Sequence, residues 1–296
     1  MWKPVLLLMV ACSGLALAAR AQTSAFDARI AQQRAERVER LTQPLGWLSL
    51  VGLDWFEPGR HRVGSAADND IVLTVGPAYL GLLRFDGDEV VLDPAKTAEF
   101  LVDGAKPTGP ITLIPDTRGS ATRITFDGGQ SGFNLIERDG RYALRVRDAN
   151  APTRTRFAGI DYYPADPTWR IEARFEPHPE GTTIPIANVV NQIEQTPNPG
   201  AVVFERDGER WRLEALEEDG GLFFVFSDRT SGRETYGGGR QLDAKAPQDG
   251  KVILDFNLAY NPPCAFNDYS TCPLPPPENR LKLAVTAGEK KYKRPD

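Results

Sequence analysis

The chain has 296 residues, 41% of them hydrophobic and 25% charged, with a formal net charge of −5. This composition excludes a disordered or collagen-like chain, and the length accommodates two domains with separate cores. The acidic balance excludes a surface built to neutralise phosphates, so nucleic acid is not an expected partner.

Met1-Trp2-Lys3 is followed by the apolar run PVLLLMVACSGLALA and then Ala19-Arg20-Ala21. A basic start, a short apolar run and an A-x-A site predict a secretory signal peptide over residues 1–21, cut after Ala21. The run is short for a membrane span, so a retained anchor is the lesser alternative. Lipidation at Cys12 is another, but Met9-Val10-Ala11 is a poor lipobox. The cut removes Lys3 and Arg20 and takes the formal charge from −5 to −7. The expected location is periplasmic or secreted, and no later stretch approaches membrane-spanning length.

Ser24 to Thr42 carries a weak apolar stripe of Phe26, Ile30, Val38 and Leu41, which predicts an amphipathic leading helix over residues 24–42. Pro44-Leu45-Gly46 stops it. From Trp47 the pattern changes to short apolar runs: Trp47–Val51, Arg60–Val63, Ile71–Val75, Gly81–Phe85, Glu89–Leu92, Glu99–Val102, Ile111–Ile114 and Thr122–Phe126. Turn signals such as Glu57-Pro58-Gly59 and Asp86-Gly87-Asp88 separate them, and Phe133–Glu137 with Tyr142–Arg147 reads as a hairpin. Residues 44–148 therefore read as a β-sandwich region.

Residues 149–296 repeat the pattern with Trp169–Glu176, Thr182–Val190, Gly200–Arg206, Glu209–Ala215, Leu222–Ser227, Gly239–Leu242, Lys251–Phe256 and Leu281–Ala287. The expected fold is all-β, an N-terminal helix followed by two antiparallel sandwich or barrel regions.

Asp255 to Asn279, DFNLAYNPPCAFNDYSTCPLPPPEN, holds six prolines and two cysteines after a strand-like run. Proline removes backbone donors and restricts its predecessor, so the segment reads as a stiff loop on a sheet, a common place for a site. Cys264 and Cys272 enclose seven residues. In an exported chain a disulfide is the first reading, with free thiols and metal as alternatives, and a closure this short contributes roughly 2–3 kcal/mol. Two histidines, His61 and His178, lie in separate regions, so no zinc set and no base for a nucleophilic cysteine is evident, and no metal or cofactor is expected.

Polar residues fall at predicted strand ends and loops in Asp228, Thr230, Tyr236, Arg240, Asp255, Asn257, Tyr260 and Asn261, the candidate ligand-binding set. If Gly239–Leu242 and Lys251–Phe256 are adjacent strands, Arg240 approaches Asp255; Arg240 would clamp a carboxylate or phosphate and Asp255 would act as a base or acceptor. The structural alternative is an Arg–Asp pair, with the asparagines holding the proline loop. Gly237-Gly238-Gly239 reads as a tight turn. No G-x-S-x-G elbow, H-E-x-x-H helix or Walker loop occurs, and the catalytic residues, if any, are not identified. Three functions follow: a module binding a small molecule or peptide, a metal-independent hydrolase with Asp228 or Asp255 as base, or an envelope interaction scaffold.

Val63-Gly64-Ser65-Ala66-Ala67-Asp68-Asn69-Asp70-Ile71-Val72-Leu73, with Leu101-Val102-Asp103-Gly104, resembles a forkhead-associated domain. That family is a β-sandwich binding phosphothreonine through an arginine and a serine–histidine pair. Here Ser65 follows Gly64, and Pro77–Leu82 stands where the pair belongs, so the resemblance implies the sandwich and argues against phosphothreonine.

Ala151-Pro152, Arg154, Phe157-Ala158-Gly159-Ile160, Tyr163-Pro164 and Trp169 resemble the bacterial and archaeal family catalogued as domain of unknown function 1684. The match continues through Phe226–Gly232, Tyr236, Gly239-Arg240, Asp255–Asn279 and Leu281 to Ala287-Gly288-Glu289-Lys290; Trp47-Leu48 to Leu53 and the turn at Gly64 also fit, so the resemblance spans nearly the whole mature chain. The resemblance implies no reaction.

Overall fold

In the computed structural model, residues 5–218 and 220–294 are described, with side chains from residue 24 onward. The first four residues of the expected leader lie outside the described residues. The helix α1 runs Val5–Thr42, and no described helix is long and apolar enough to cross a membrane.

A turn of 3₁₀ helix at Trp47–Ser49 leads into ten strands. They are β1 (Leu50–Phe56), β2 (Gly59–Gly64), β3 (Ile71–Val72), β4 (Gly81–Asp86), β5 (Glu89–Pro94), β6 (Leu101–Val102), β7 (Ile111–Thr112), β8 (Arg123–Phe126), β9 (Ser131–Arg138) and β10 (Arg141–Asp148). They form two five-stranded sheets, ordered β1-β10-β9-β8-β6 and β3-β2-β4-β5-β7. Inward residues of both sheets, among them Val63, Leu83, Leu92, Ile124, Leu135 and Leu144, build one core, because alternation puts every second side chain on the shared face. Aromatic edges pack within it, with Phe85 and Tyr142 ring centroids 5.0 Å apart. One pairing departs from the expected antiparallel pattern: β2 and β3 run parallel. The Asp68-Asn69-Asp70 turn between them is held locally, Asn69 Nδ2 donating to the carbonyls of Ala66 at 2.8 Å and Ala78 at 2.9 Å.

The second half adds β11 (Arg170–Pro177), β12 (Thr183–Ala187), β13 (Ile193–Pro197), β14 (Gly200–Arg206), β15 (Glu209–Glu218), β16 (Gly221–Phe226), β17 (Arg240–Ala244) and β18 (Lys251–Asp255). Six of them form a curled sheet ordered β17-β16-β15-β14-β11-β18, a half-barrel, and β12 pairs with β13 as a separate hairpin. Its concave face is filled by Trp169, Phe204, Phe224, Phe226 and Phe256, and the open side is closed by the tail residues Leu281, Leu283, Val285 and Ala287.

That tail corrects the sequence expectation. Leu281–Ala287 was read as a strand from its alternation, and the alternation is real: 281, 283, 285 and 287 are buried while 282, 284 and 286 are exposed. No strand ladder forms, however. Leu281 N donates to the Ser227 carbonyl, Arg229 N to the Leu283 carbonyl and Val285 N to the Asp228 carboxylate, while the Val285 and Ala287 carbonyls turn to a side chain. Burial sets the period of two, whereas a strand also needs a neighbouring backbone.

The proline loop between β18 and the tail is closed by a disulfide between Cys264 and Cys272, whose Cα atoms are 6.2 Å apart. Below it, Gly239 takes φ +88°, and a Cβ there would meet Pro275 Cγ at 2.4 Å and the Phe226 carbonyl oxygen at 2.7 Å. The glycine run is thus a turn that lets the proline loop approach β16.

Reduction of the disulfide, or Cys264→Ser with Cys272→Ser, should lower stability by about 2–3 kcal/mol, read as a shift of the urea midpoint with and without dithiothreitol. An unchanged midpoint would mean that the prolines alone hold the loop.

Candidate functional site

Arg240, the first residue of β17, is completely buried, and so is the side chain of its partner Asp228. Arg240 Nη2 donates to Asp228 Oδ2 at 2.8 Å and to the Val285 carbonyl at 2.9 Å, and Nη1 donates to the carbonyls of Ala287 and Glu289. The Phe226 ring covers the guanidinium at 5.4 Å. Asp228 Oδ1 in turn accepts from Thr230 N at 2.7 Å, Thr230 Oγ1 at 2.6 Å and Val285 N at 3.3 Å. Buried and engaged on both oxygens, this carboxylate is not presented to a ligand. Arg240 therefore acts in place of the missing strand, supplying donors to carbonyls at every second tail residue.

The expected approach of Arg240 to Asp255 is not what the sheet provides. Strands β17 and β18 are the two ends of the six-strand order and come close where the sheet curls, but no ladder joins them; Asp255 pairs with Arg29 of α1 at 2.7 Å and lies 4.0 Å from Arg170 Nε. Asp255 Oδ1 accepts from the Asn257 backbone and side chain, capping the turn of 3₁₀ helix at Phe256–Leu258. Asn257 also exchanges hydrogen bonds with the Asp166 backbone, both at 2.9 Å. Thr230 is buried against Thr235, their hydroxyls 2.8 Å apart, and Tyr236 donates to the Cys264 carbonyl at 3.3 Å. Asn261 is buried with Nδ2 on the Lys290 carbonyl at 2.8 Å. Of the eight candidates, Asn257 and Tyr260 line a cavity; the other six hold the framework behind it.

That cavity, of about 690 Å³, opens where α1, the β9–β10 hairpin and the disulfide-closed loop meet. One wall comes from α1 through Arg34, Arg37 and Arg40. Arg37 Nε donates to Glu289 at 3.1 Å, its Nη2 to the Asn261 carbonyl at 2.9 Å, and its guanidinium covers the Tyr260 ring at 4.6 Å. Arg34 donates to the Tyr163 carbonyl at 3.0 Å and lies over the Tyr162 ring at 4.3 Å. Glu289 is buried, taking the Asn261 N–H at 2.7 Å on its second oxygen. Burial pushes its carboxyl above the ordinary range, against the pull of Arg37. Burial likewise raises the Tyr162 phenol, whose hydroxyl is buried without a hydrogen-bond partner. Tyr260 donates to Asp243 at 3.2 Å.

The opposite wall carries Trp47, Arg138, Arg145 and Thr271. Sequence reasoning missed the arginines and Glu289. Arg34, Arg37 and Arg40 recur every three residues, a spacing that keeps them on one helix face, and that was the available signal. The face of Arg138 and Arg145 depends on hairpin register, and Glu289 on the tail's route, neither of which the residues announce. Among the described residues, no three His, Cys, Asp or Glu side chains come together to hold a metal ion.

Residues 155–290 match the family described as Protein of unknown function (DUF1684). No curated protein matches the chain. Among solved structures, it is similar to the solution NMR structure of an uncharacterized protein from Haloarcula marismortui. The two are 37% identical over 46% of this chain and 78% of that one, with a TM-score of 0.39.

Arg240→Ala would leave the Asp228 carboxylate buried without its cation, and should cost about 3–5 kcal/mol in urea denaturation. Asp228→Ala added to it should then cost clearly less than Asp228→Ala alone; additive losses would deny the coupling. At Gly288, φ is +80° and a Cβ would meet the Ala259 carbonyl oxygen at 2.4 Å. Gly288→Ala should therefore destabilise by roughly 1–3 kcal/mol. A neutral effect there would show that the tail does not need this close approach to seat Glu289.

Proposed function

For a chain that belongs over residues 155–290 to this family of unknown function, we propose a role as an exported module that binds a small ligand in the cleft between α1, the β9–β10 hairpin and the disulfide-closed loop. The observation that carries the reading is the cavity itself: about 690 Å³, within the range of small-molecule sites, lined by five arginines, by the carboxylates of Glu36, Glu218, Asp243 and Glu289, and by the aromatic rings of Tyr162 and Tyr260. Many β-proteins place ligands in such junctions, where a rigid framework holds polar groups apart from water.

Export is supported by the leader read over residues 1–21 and by the Cys264–Cys272 disulfide, which suits an oxidising compartment. The hydrolase alternative loses its two proposed bases, because the Asp228 and Asp255 oxygens are engaged by Arg240, Thr230, Arg29 and Asn257. A base must reach a substrate proton, and neither carboxylate lines the cavity. The forkhead-associated resemblance of the first region enters as likeness in architecture alone. Ser65, where that family has arginine, donates its hydroxyl to the Gly76 carbonyl at 2.8 Å.

The reading is tested by thermal-shift screening of the full chain against carboxylates, sugars, lipids and peptides. A ligand at one hundred times its Kd contributes about 2.7 kcal/mol. At about 2–4 °C per kcal/mol, this raises Tm by roughly 5–10 °C. The rise should disappear in Tyr260→Ala and persist in Arg84→Ala, whose side chain pairs with Asp93 on the far sheet. Failure of every class to stabilise the wild type, or equal stabilisation of Tyr260→Ala, would end the proposal.

A further inference from the structure

Resting on the cleft reading above, the geometry points to a subsite for an oxyanion, the carboxylate or phosphate end of the ligand, at Arg138, Arg145 and Thr271.

The starting point is an imbalance of charge. Arg145 on β10 is 4% exposed. Its Nη2 donates to Thr271 Oγ1 at 3.1 Å, and its Nε is buried with no hydrogen-bond partner. Arg138 on β9 donates its Nε to the same hydroxyl at 3.2 Å. The nearest carboxylate, Asp116, is engaged by Arg138 through two bonds of 2.9 Å, and stands 3.9 Å from Arg145, beyond hydrogen-bond reach. Arg147, the next cation on the same face of β10, donates to the neutral Asn134. Three guanidiniums thus share one carboxylate, in a protein whose formal charge is negative overall. Burial, with the Arg138 and Arg147 cations, brings the Arg145 pKa down to about 10, in keeping with a cation that lacks a full counter-charge.

A buried, under-compensated cation is costly, and an anion arriving from outside would supply the missing counter-charge. The guanidinium edge formed by Nε and Nη suits two oxygens of one carboxylate or phosphate side by side. Thr271 adds to this. Its oxygen already accepts from two arginines, so its own hydrogen is free to donate to an anion seated between them. The indole of Trp47 lies 5.6 Å from the Arg145 guanidinium and remains 39% exposed on the cleft, a surface for an apolar or aromatic body attached to the anion. Thr271 belongs to the loop closed by Cys264–Cys272, so the disulfide holds the third group of the subsite in place.

Isothermal titration of the full chain with phenyl phosphate, benzoate and neutral benzyl alcohol tests the assignment. One of the two anions should bind at least tenfold more tightly than benzyl alcohol, and the stronger one identifies phosphate or carboxylate. Thr271→Val, which keeps the shape and removes the hydroxyl, should weaken that anion about tenfold. Arg145→Lys, which keeps the charge and loses the Nε–Nη edge, should weaken it at least as much, with circular dichroism confirming the fold. Should Arg145→Lys fail to fold, Thr271→Val alone decides. Equal binding of charged and neutral probes, affinities unmoved by Thr271→Val, or no anion binding overturns the subsite. Neutral ligands whose binding still depends on Tyr260 would in that event leave the cleft reading standing.

Discussion

The guanidinium of Arg240 organises the second half of the molecule. The tail from Leu281 onward has the alternation of a strand and a half-barrel to close, yet past Leu283, whose carbonyl accepts from Arg229 N, its carbonyls at 285 and 287 have no strand beside them. Arg240 supplies donors to residues 285, 287 and 289 from inside the core, and Asp228 balances its charge. An apolar residue of the same volume would leave those carbonyls buried and unpaired, at a cost comparable to a lost hydrogen bond for each. A charged pair is generally a poor source of stability in a core. Here its value is positional, since it determines the path of a segment that no ladder can direct.

The candidate cleft depends on that path. With the tail carbonyls held, Gly288 passes close under Ala259 and Glu289 turns its carboxylate toward α1 and the Asn261 backbone. Arg37 then reaches Glu289, and Arg29 reaches Asp255, so α1 is fastened to the half-barrel by ion pairs along one face. Leu41 and Leu48 add an apolar contact with Ala265 and Phe266 of the proline loop. The same helix thus serves as a structural strut and as one wall of the cavity, and Arg34 and Arg37 both fasten it and line the open space.

Much of the β framework was legible from short apolar runs and turn signals, since a half-buried strand imprints its period of two directly on the sequence. The disulfide was legible from two cysteines flanking a stiff loop. The legible part of the site was narrower. Asp228, Arg240 and Asp255 stood out as polar groups in a strand-rich region, but polarity alone does not distinguish a group aimed at solvent from one saturated inside the core. Asn257 and Tyr260 reach the cavity because the turn after β18 swings their side of the chain toward α1. Arg138 and Arg145 look like ordinary surface charges until hairpin register is known, and Glu289, though part of the family motif, shows no site role until the tail's route is known.

By itself, the sequence determined the class of the fold, the turns, the stiff cysteine-closed loop and the resemblance to a family, all of which follow from local spacing and residue type. Tertiary structure alone decided which acids meet which arginines. Although β17 and β18 come close where the sheet curls, Asp255 at the end of β18 meets Arg29 of α1, and Arg240 at the start of β17 meets the buried Asp228. Hydrogen bonding and desolvation act over a few ångströms between residues separated by as many as 252 positions, as in Arg37 and Glu289, and no local pattern carries that information.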